Sequence, residues 1–194
     1  MHSQSHLEDL RELTVEEVRE YCQANPEYVH ETDGSGETPL MSACLLGRTE
    51  LVRVLLEFGG QVNYIADDGD TPLKMAIEGC NEQSFNRELF DLLLTAGANP
   101  NAGLFPAFHL AVGRGLYDVV RFLAEHGADP NLRDADDSPP LFWAGVYSNS
   151  PNVKMMGLLV NLGADINQCD GVGRTIEQRF GREVMIEVQR HSER

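Results

Sequence analysis

Apolar residues in this chain recur at helical spacing in four separated runs: Leu51-Val52-Val54-Leu55-Leu56, Leu89-Phe90-Leu92-Leu93-Leu94, Val119-Val120-Phe122-Leu123 and Met155-Met156-Leu158-Leu159-Val160. Each run predicts an amphipathic helix whose apolar stripe needs a neighbour to cover it. Gly59, Gly97, Gly127 and Gly163 follow the runs, where a left-handed residue releases the chain from a helix. A shorter helix is predicted ahead of each run. Thr38-Pro39 and Thr71-Pro72 offer a side-chain acceptor and then a proline at the first helical position, where its missing N–H would have no partner anyway. Pro106 and Pro139 open weaker copies, and Ala43, Ala76, Ala111 and Ala144 stand five residues after these starts, small enough to admit a neighbouring helix. The pattern is that of an all-α chain of helical hairpins.

The hairpins are copies of one unit. Thr38-Pro39-Leu40 and Thr71-Pro72-Leu73 lie 33 residues apart, as do Pro106 and Pro139. A second marker follows in phase: Gly59-Gly60-Gln61-Val62-Asn63, Gly97-Ala98-Asn99-Pro100-Asn101, Gly127-Ala128-Asp129-Pro130-Asn131 and Gly163-Ala164-Asp165-Ile166-Asn167. One hairpin cannot bury its own apolar face, so an array of at least about three is needed. Period and opening together resemble the ankyrin repeat family. That resemblance implies a solenoid of stacked helix-turn-helix units joined by β-hairpin-like turns, with a partner protein held in the concave groove between the turns and the first helices. Mapped here, it points to Leu45, Leu46, Glu78, Arg114, Val146 and Tyr147 at the ends of the first helices, with Tyr64 and Ile65 on the second turn. Phe142 and Trp143 fall at positions expected to be core.

The expected organisation is an N-terminal capping pair over residues 1–30, four repeats over 31–168 (about 31–63, 64–101, 102–131 and 132–168) and a divergent C-terminal cap over 169–194. Ser5-x-x-Glu8 and Thr14-x-x-Glu17 read as capping boxes, Asn25-Pro26 closes the second helix, and two short helices broken at Gly181 end the chain. Insertions at 81–87 and 148–152 fall between paired helices, where a longer loop costs about 0.6 kcal/mol per doubling. One turn is shortened: Gly97 to Pro106 spans 9 residues where its counterparts span 12. Its replacement, Ala102-Gly103-Leu104-Phe105, is uncharged and predicts a notch.

Charge adds a second theme. The formal net charge is -16, and ten of the 31 acids fall in the four regular turns: Glu31, Asp33, Glu37, Asp67, Asp68, Asp70, Asp134, Asp136, Asp137 and Asp170. Only Arg133 and Arg174 oppose them there. Stacked repeats would align these carboxylates into one negative field, repelling nucleic acid and favouring a partner with a basic surface. The candidate acidic contacts are Asp67, Asp68, Asp70, Asp134, Asp136 and Asp137. On this reading the chain is a protein-binding module, monomeric when free, acting as an immunity or inhibitor protein against a cationic toxin or as a scaffold or host-directed effector.

Other classes find little support. At 194 residues and 42% hydrophobic the chain has material for one core, and no apolar run approaches the roughly 20 residues that span a bilayer. The polar start lacks the basic and apolar regions of a secretory signal, and Cys22, Cys44, Cys80 and Cys169 show no paired spacing, so free thiols in the cytoplasm are expected. The histidines have positional explanations in the repeats, at the termini or in a turn. Asp134-Ala135-Asp136-Asp137-Ser138 starts like a calcium loop but lacks its glycine and closing glutamate. Neither Gly34-Ser35-Gly36 nor Gly113-Arg114-Gly115 completes a phosphate loop. No catalytic, cofactor or metal role is expected.

Overall fold

The computed structural model describes residues 10–80, 85–147 and 150–192. The Ser5–Glu8 capping box, His2, His6 and the expected insertion residues 81–84 and 148–149 lie outside the described residues. The chain divides into two compact units, Met1–Gly103 and Leu104–Arg194. Among the described residues every regular element is an α-helix or a short 3-10 turn.

In the first unit, α1 (Val15–Ala24) opens on the predicted box: Thr14 Oγ1 accepts from the Glu17 N–H, and Glu17 returns a bond to the Thr14 N–H. A 3-10 turn, Pro26–His30, follows. Two hairpins come next, α2 (Pro39–Leu45) with α3 (Thr49–Glu57) and α4 (Pro72–Glu78) with α5 (Arg87–Thr95). Thr38 and Thr71 cap α2 and α4 through the N–H groups of Met41 and Lys74. First helix packs on first helix, and second on second. That arrangement buries Leu40, Met41, Leu51, Leu55, Leu73, Ile77, Leu89 and Leu93 completely or nearly so. Each such side chain contributes roughly 1.5–3 kcal/mol of hydrophobic stabilisation. Arg48 donates to the carbonyls of Leu10 and Leu13, both at 2.6 Å, fastening the entering chain to the first hairpin.

The second unit holds α6 (Ala107–Gly113) with α7 (Tyr117–Glu125), then α8 (Val153–Asn161), α9 (Ile176–Phe180) and α10 (Arg182–Ser192). Gly181, at φ 95°, separates the last two, and α10 packs along α8. The expected α-helix after Pro139 is not formed. Pro140–Phe142 is a 3-10 turn, continued by i→i−3 bonds from Trp143 to Pro140 and from Val146 to Trp143. The cause is local: Gly145 adopts φ 100°, which no α-helix passes through, whereas α6 forms after Pro106, an N-cap equally without a side-chain acceptor. A Cβ at that glycine would lie 2.6 Å from the Ser150 carbonyl and 2.8 Å from Pro151 Cα, so the chain must leave the turn early to reach α8. Val146 and Tyr147 consequently sit on an open turn and not at a helix end.

Successive hairpins are also stapled. Asn63 donates to the Gly97 carbonyl at 2.8 Å and accepts from the Asn99 N–H at 2.7 Å. Asn131 does the same with Gly163 and Asp165, at 2.9 and 2.8 Å. The asparagine of the repeating marker therefore joins one repeat to the next, a role beyond turn formation.

Candidate functional site

The acidic turns share one construction. In each, a backbone N–H bonds a carbonyl four residues on: Asp33 to Glu37, Ala66 to Asp70, Asp134 to Ser138 and Asp170 to Arg174. Where the first residue is aspartate, its Oδ1 accepts from the backbone two and four residues later. Asp33 takes Ser35 and Glu37, Asp134 takes Asp136 and Ser138, and Asp170 takes Val172 and Arg174. The fourth residue needs positive φ, supplied by Gly36, Gly69 and Gly173 and, in the remaining turn, by Asp137 at φ 57°.

Asp33, Asp134 and Asp170 thus shape the turns they open, and Asp68 accepts the Asp70 N–H at 3.0 Å inside its own. Asp134 is 9% exposed, and its Oδ2 accepts the Trp143 Nε1–H at 2.6 Å. Asp170 is 3% exposed; its Oδ2 accepts from Arg174 at 2.9 and 3.1 Å and from Arg179 at 3.2 Å. Burial opposes ionisation of Asp170, yet the Arg174 backbone and guanidinium hold its carboxyl below the usual carboxylate value. Arg179 also lies over the Phe142 and Phe180 rings, 5.7 and 5.1 Å from their centres. Asp136, Ser138, Asp170, Gly171, Val172, Arg174 and Arg179 line a cleft of about 330 Å³.

Asp70 pairs with the largely sheltered Lys74, so the opposing cations extend beyond the two arginines visible in the turns themselves. Lys74 occupies the first turn of α4 and Arg179 lies on α9, elements apart from the acidic stretches. The spacing of Asp70 and Lys74, four residues, was the signal available in the sequence. Glu31, Asp67, Asp68, Asp136 and Asp137 remain exposed, the last 3.3 Å from Arg133.

Adjacent turns do pool their charge within the first unit. Glu37 is half-buried, and burial raises its carboxyl above the ordinary value, with Asp33, Asp68 and Asp70 adding to the shift. The same unit places Leu45 and Leu46 half-buried at the end of α2, and Glu78 exposed at the end of α4. Tyr64 is half-buried and Ile65 is 50% exposed, immediately ahead of Asp67 and Asp68. Of the 31 acids, 19 lie in residues 1–103 with 6 of the 15 basic residues; that segment carries -13 and residues 104–194 only -3.

In the second unit Arg114 is half-buried at the C-cap of α6, while Val146 and Tyr147 are exposed. Phe142 is buried as expected, but Trp143 is only half-buried, because the turn carries its ring out toward the shortened finger. The Phe105 and Trp143 ring centres are 6.0 Å apart, and the Ala135 N–H bonds the Leu104 carbonyl at 2.9 Å. The shortened turn is thus backed by the next finger of the same unit. His109 is fully buried beside Trp143, and burial lowers its pKa from the usual 6.5 against the opposing pull of the Asp134 carboxylate.

No helix among the described residues is long and apolar enough to cross a membrane. Cys22, Cys44, Cys80 and Cys169 are free thiols, and burial pushes Cys22 and Cys44 above the usual thiol pKa.

A family model describing ankyrin repeats in three copies matches residues 6–103 and 81–170. The human BCL-6 corepressor-like protein 1 is 34% identical over 146 residues, covering 74% of this chain and 8% of that protein. The human ankyrin repeat and SOCS box protein 6 is 41% identical over 91 residues, 44% of this chain and 21% of its own length. The probable 26S proteasome regulatory subunit p28 of Saccharomyces cerevisiae is 30% identical over 164 residues, 81% of this chain and 70% of the subunit. Two of these relatives are therefore spanned only over a quarter of their length or less.

Proposed function

The chain belongs to the ankyrin repeat family, whose repeats are protein–protein interaction modules, and from that premise we propose that it binds a partner protein with a basic surface through its concave face and acidic turns. The observation that carries this reading is the crowding of carboxylates from successive turns around Glu37, within a segment of net charge -13. Asp67 and Asp68 stand exposed on that edge, next to the apolar Ile65 and Tyr64. An apolar centre within a charged rim is the common anatomy of an interface: apolar contact supplies affinity, and the rim supplies steering and choice of partner. Turns locked by their own aspartates present this surface preformed, which lowers the ordering cost of association. Glu31, Asp67, Asp68 and Glu78 are the acidic contacts; Asp134 and Asp70 act from behind, holding Trp143 and Lys74. Occlusion of a cationic toxin or enzyme is one form such binding would take.

The test is capture from the native source at graded salt. A basic protein should be retained at low ionic strength and released as salt rises, because the field decays over about 8 Å at physiological salt. Asp67→Lys/Asp68→Lys should weaken retention at least tenfold. Recovery of only acidic or nucleic-acid partners, or retention indifferent to salt, would overturn the reading.

A further inference from the structure

Phe105, Trp143 and Tyr147 form an angular aromatic shelf on the second unit. The Phe105 and Trp143 planes meet at 51° and the Trp143 and Tyr147 planes at 72°, with centres 6.0 and 6.4 Å apart, so the three rings make a corner and not a flat wall. Gly113 seats them: a Cβ there would lie 2.9 Å from the Tyr147 ring and 3.1 Å from the Trp143 ring. Tyr147 is 63% exposed, and Phe105 and Trp143 are half-buried behind it. The open turn created by Gly145 places Tyr147 there.

A partly exposed corner of rings takes an apolar side chain or a cation, and the electrostatics decide between them. The Trp143 Nε1–H is bonded to the buried Asp134 carboxylate at 2.6 Å. An anion accepting from the indole N–H leaves the ring richer in electron density and strengthens its attraction for a positive charge over its face. The His109 and Trp143 ring centres lie 5.8 Å apart at 81°, and burial lowers the His109 pKa from 6.5, so it adds no opposing charge at pH 7. The unit that carries the corner is itself net negative, at -3. Resting on the reading that the partner is basic, we infer that the Phe105–Trp143–Tyr147 corner is a receptor for an arginine side chain of that partner. Arginine suits it better than lysine because the planar guanidinium stacks on one ring while its edge meets the next.

Trp143 is the sole tryptophan of the chain, so its emission reports this corner alone. The probe is a ten-residue peptide alternating glycine and arginine, compared with the same peptide carrying citrulline, the neutral isostere of arginine. Expected is a saturable change in Trp143 emission with the arginine peptide, and at least about tenfold weaker binding of the citrulline peptide. Tyr147→Ala should weaken the arginine peptide about fivefold to tenfold, a loss within the range of a partly desolvated cation–π contact. Tyr147→Phe, which keeps the ring, should restore it to within about twofold. Because Tyr147 is mostly exposed, these variants leave the buried core untouched. Equal responses to both peptides, or a Tyr147→Ala variant that binds as the parent does, would overturn the assignment. Tyr147→Ala that still captures a basic protein in a salt-sensitive way would remove the receptor and leave the proposed function standing. Arginine-selective emission changes without any basic partner would do the reverse.

Discussion

Replacing Asp170 by alanine tests how firmly the last turn is held. The carboxylate is 3% exposed and accepts the N–H groups of Val172 at 3.2 Å and Arg174 at 2.8 Å. It also takes bonds from the Arg174 guanidinium at 2.9 and 3.1 Å and from Arg179 at 3.2 Å. Alanine leaves two backbone donors without their acceptor, at about 1.5 kcal/mol each, the low end for bonds to an ionised group. The ion pairs add at most about 1 kcal/mol, because the Arg174 side chain is half exposed and its share is screened. The expected loss is about 3 kcal/mol. Asp170→Asn keeps an acceptor for both N–H groups and forfeits only the charge, so it should cost about 1 kcal/mol. Urea unfolding followed by Trp143 emission reads this unit directly, and the midpoints should fall in that order with unchanged slope. The pH dependence has a fixed sign. The folded pKa lies below the ordinary 3.8, so the contribution of Asp170 is present above about pH 4 and fades as pH drops through the lowered value. The gap between parent and Asp170→Asn should close in that acid range. Alanine and asparagine variants of equal stability, or a gap that widens on acidification, would refute the bookkeeping.

Two further outcomes follow from buried or crowded groups. Burial in the core lowers the His109 pKa, so the unfolded chain protonates it first; stability of the second unit should decline as pH falls below about 6.5, and His109→Leu should flatten that decline in the same urea assay. Glu37→Gln removes a half-buried carboxylate from the neighbourhood of Asp33, Asp68 and Asp70 and should stabilise the first unit at pH 7, by thermal unfolding, with the gain disappearing below about pH 4.5 where the acid is protonated in both states.

Much of the architecture was legible because local chemistry and global packing agree. Thr38-Pro39 and Thr71-Pro72 specify helix starts through geometry confined to a few residues, and the apolar runs specify which face is buried. Legibility failed where a single backbone angle decides. The motif opening at Pro139 has its alanine in register, but Gly145 stands one residue beyond it and turns the chain before a helical turn closes. The candidate surface was legible in kind and less so in detail. Turn aspartates read alike in sequence, yet Asp134 and Asp170 are buried in hydrogen bonds while Asp67, Asp68 and Asp136 face water. The difference lies in position: the aspartate that opens a turn accepts from N–H groups two and four residues on, whereas Asp68, inside its turn, accepts only from Asp70. The aromatic corner was hidden for another reason, since its rings come from 105, 143 and 147 and meet only because one finger is short and one helix fails to form.

The asparagine staples give biosynthesis a direction. Asn63 and Asn131 each reach forward, to backbone groups 32 to 36 residues later in the chain. A hairpin emerging from the ribosome therefore cannot complete its own fastening until the following one has been translated, and the newest segment is always the loosest. Assembly should advance as a zipper closing from the amino end, one tooth behind synthesis.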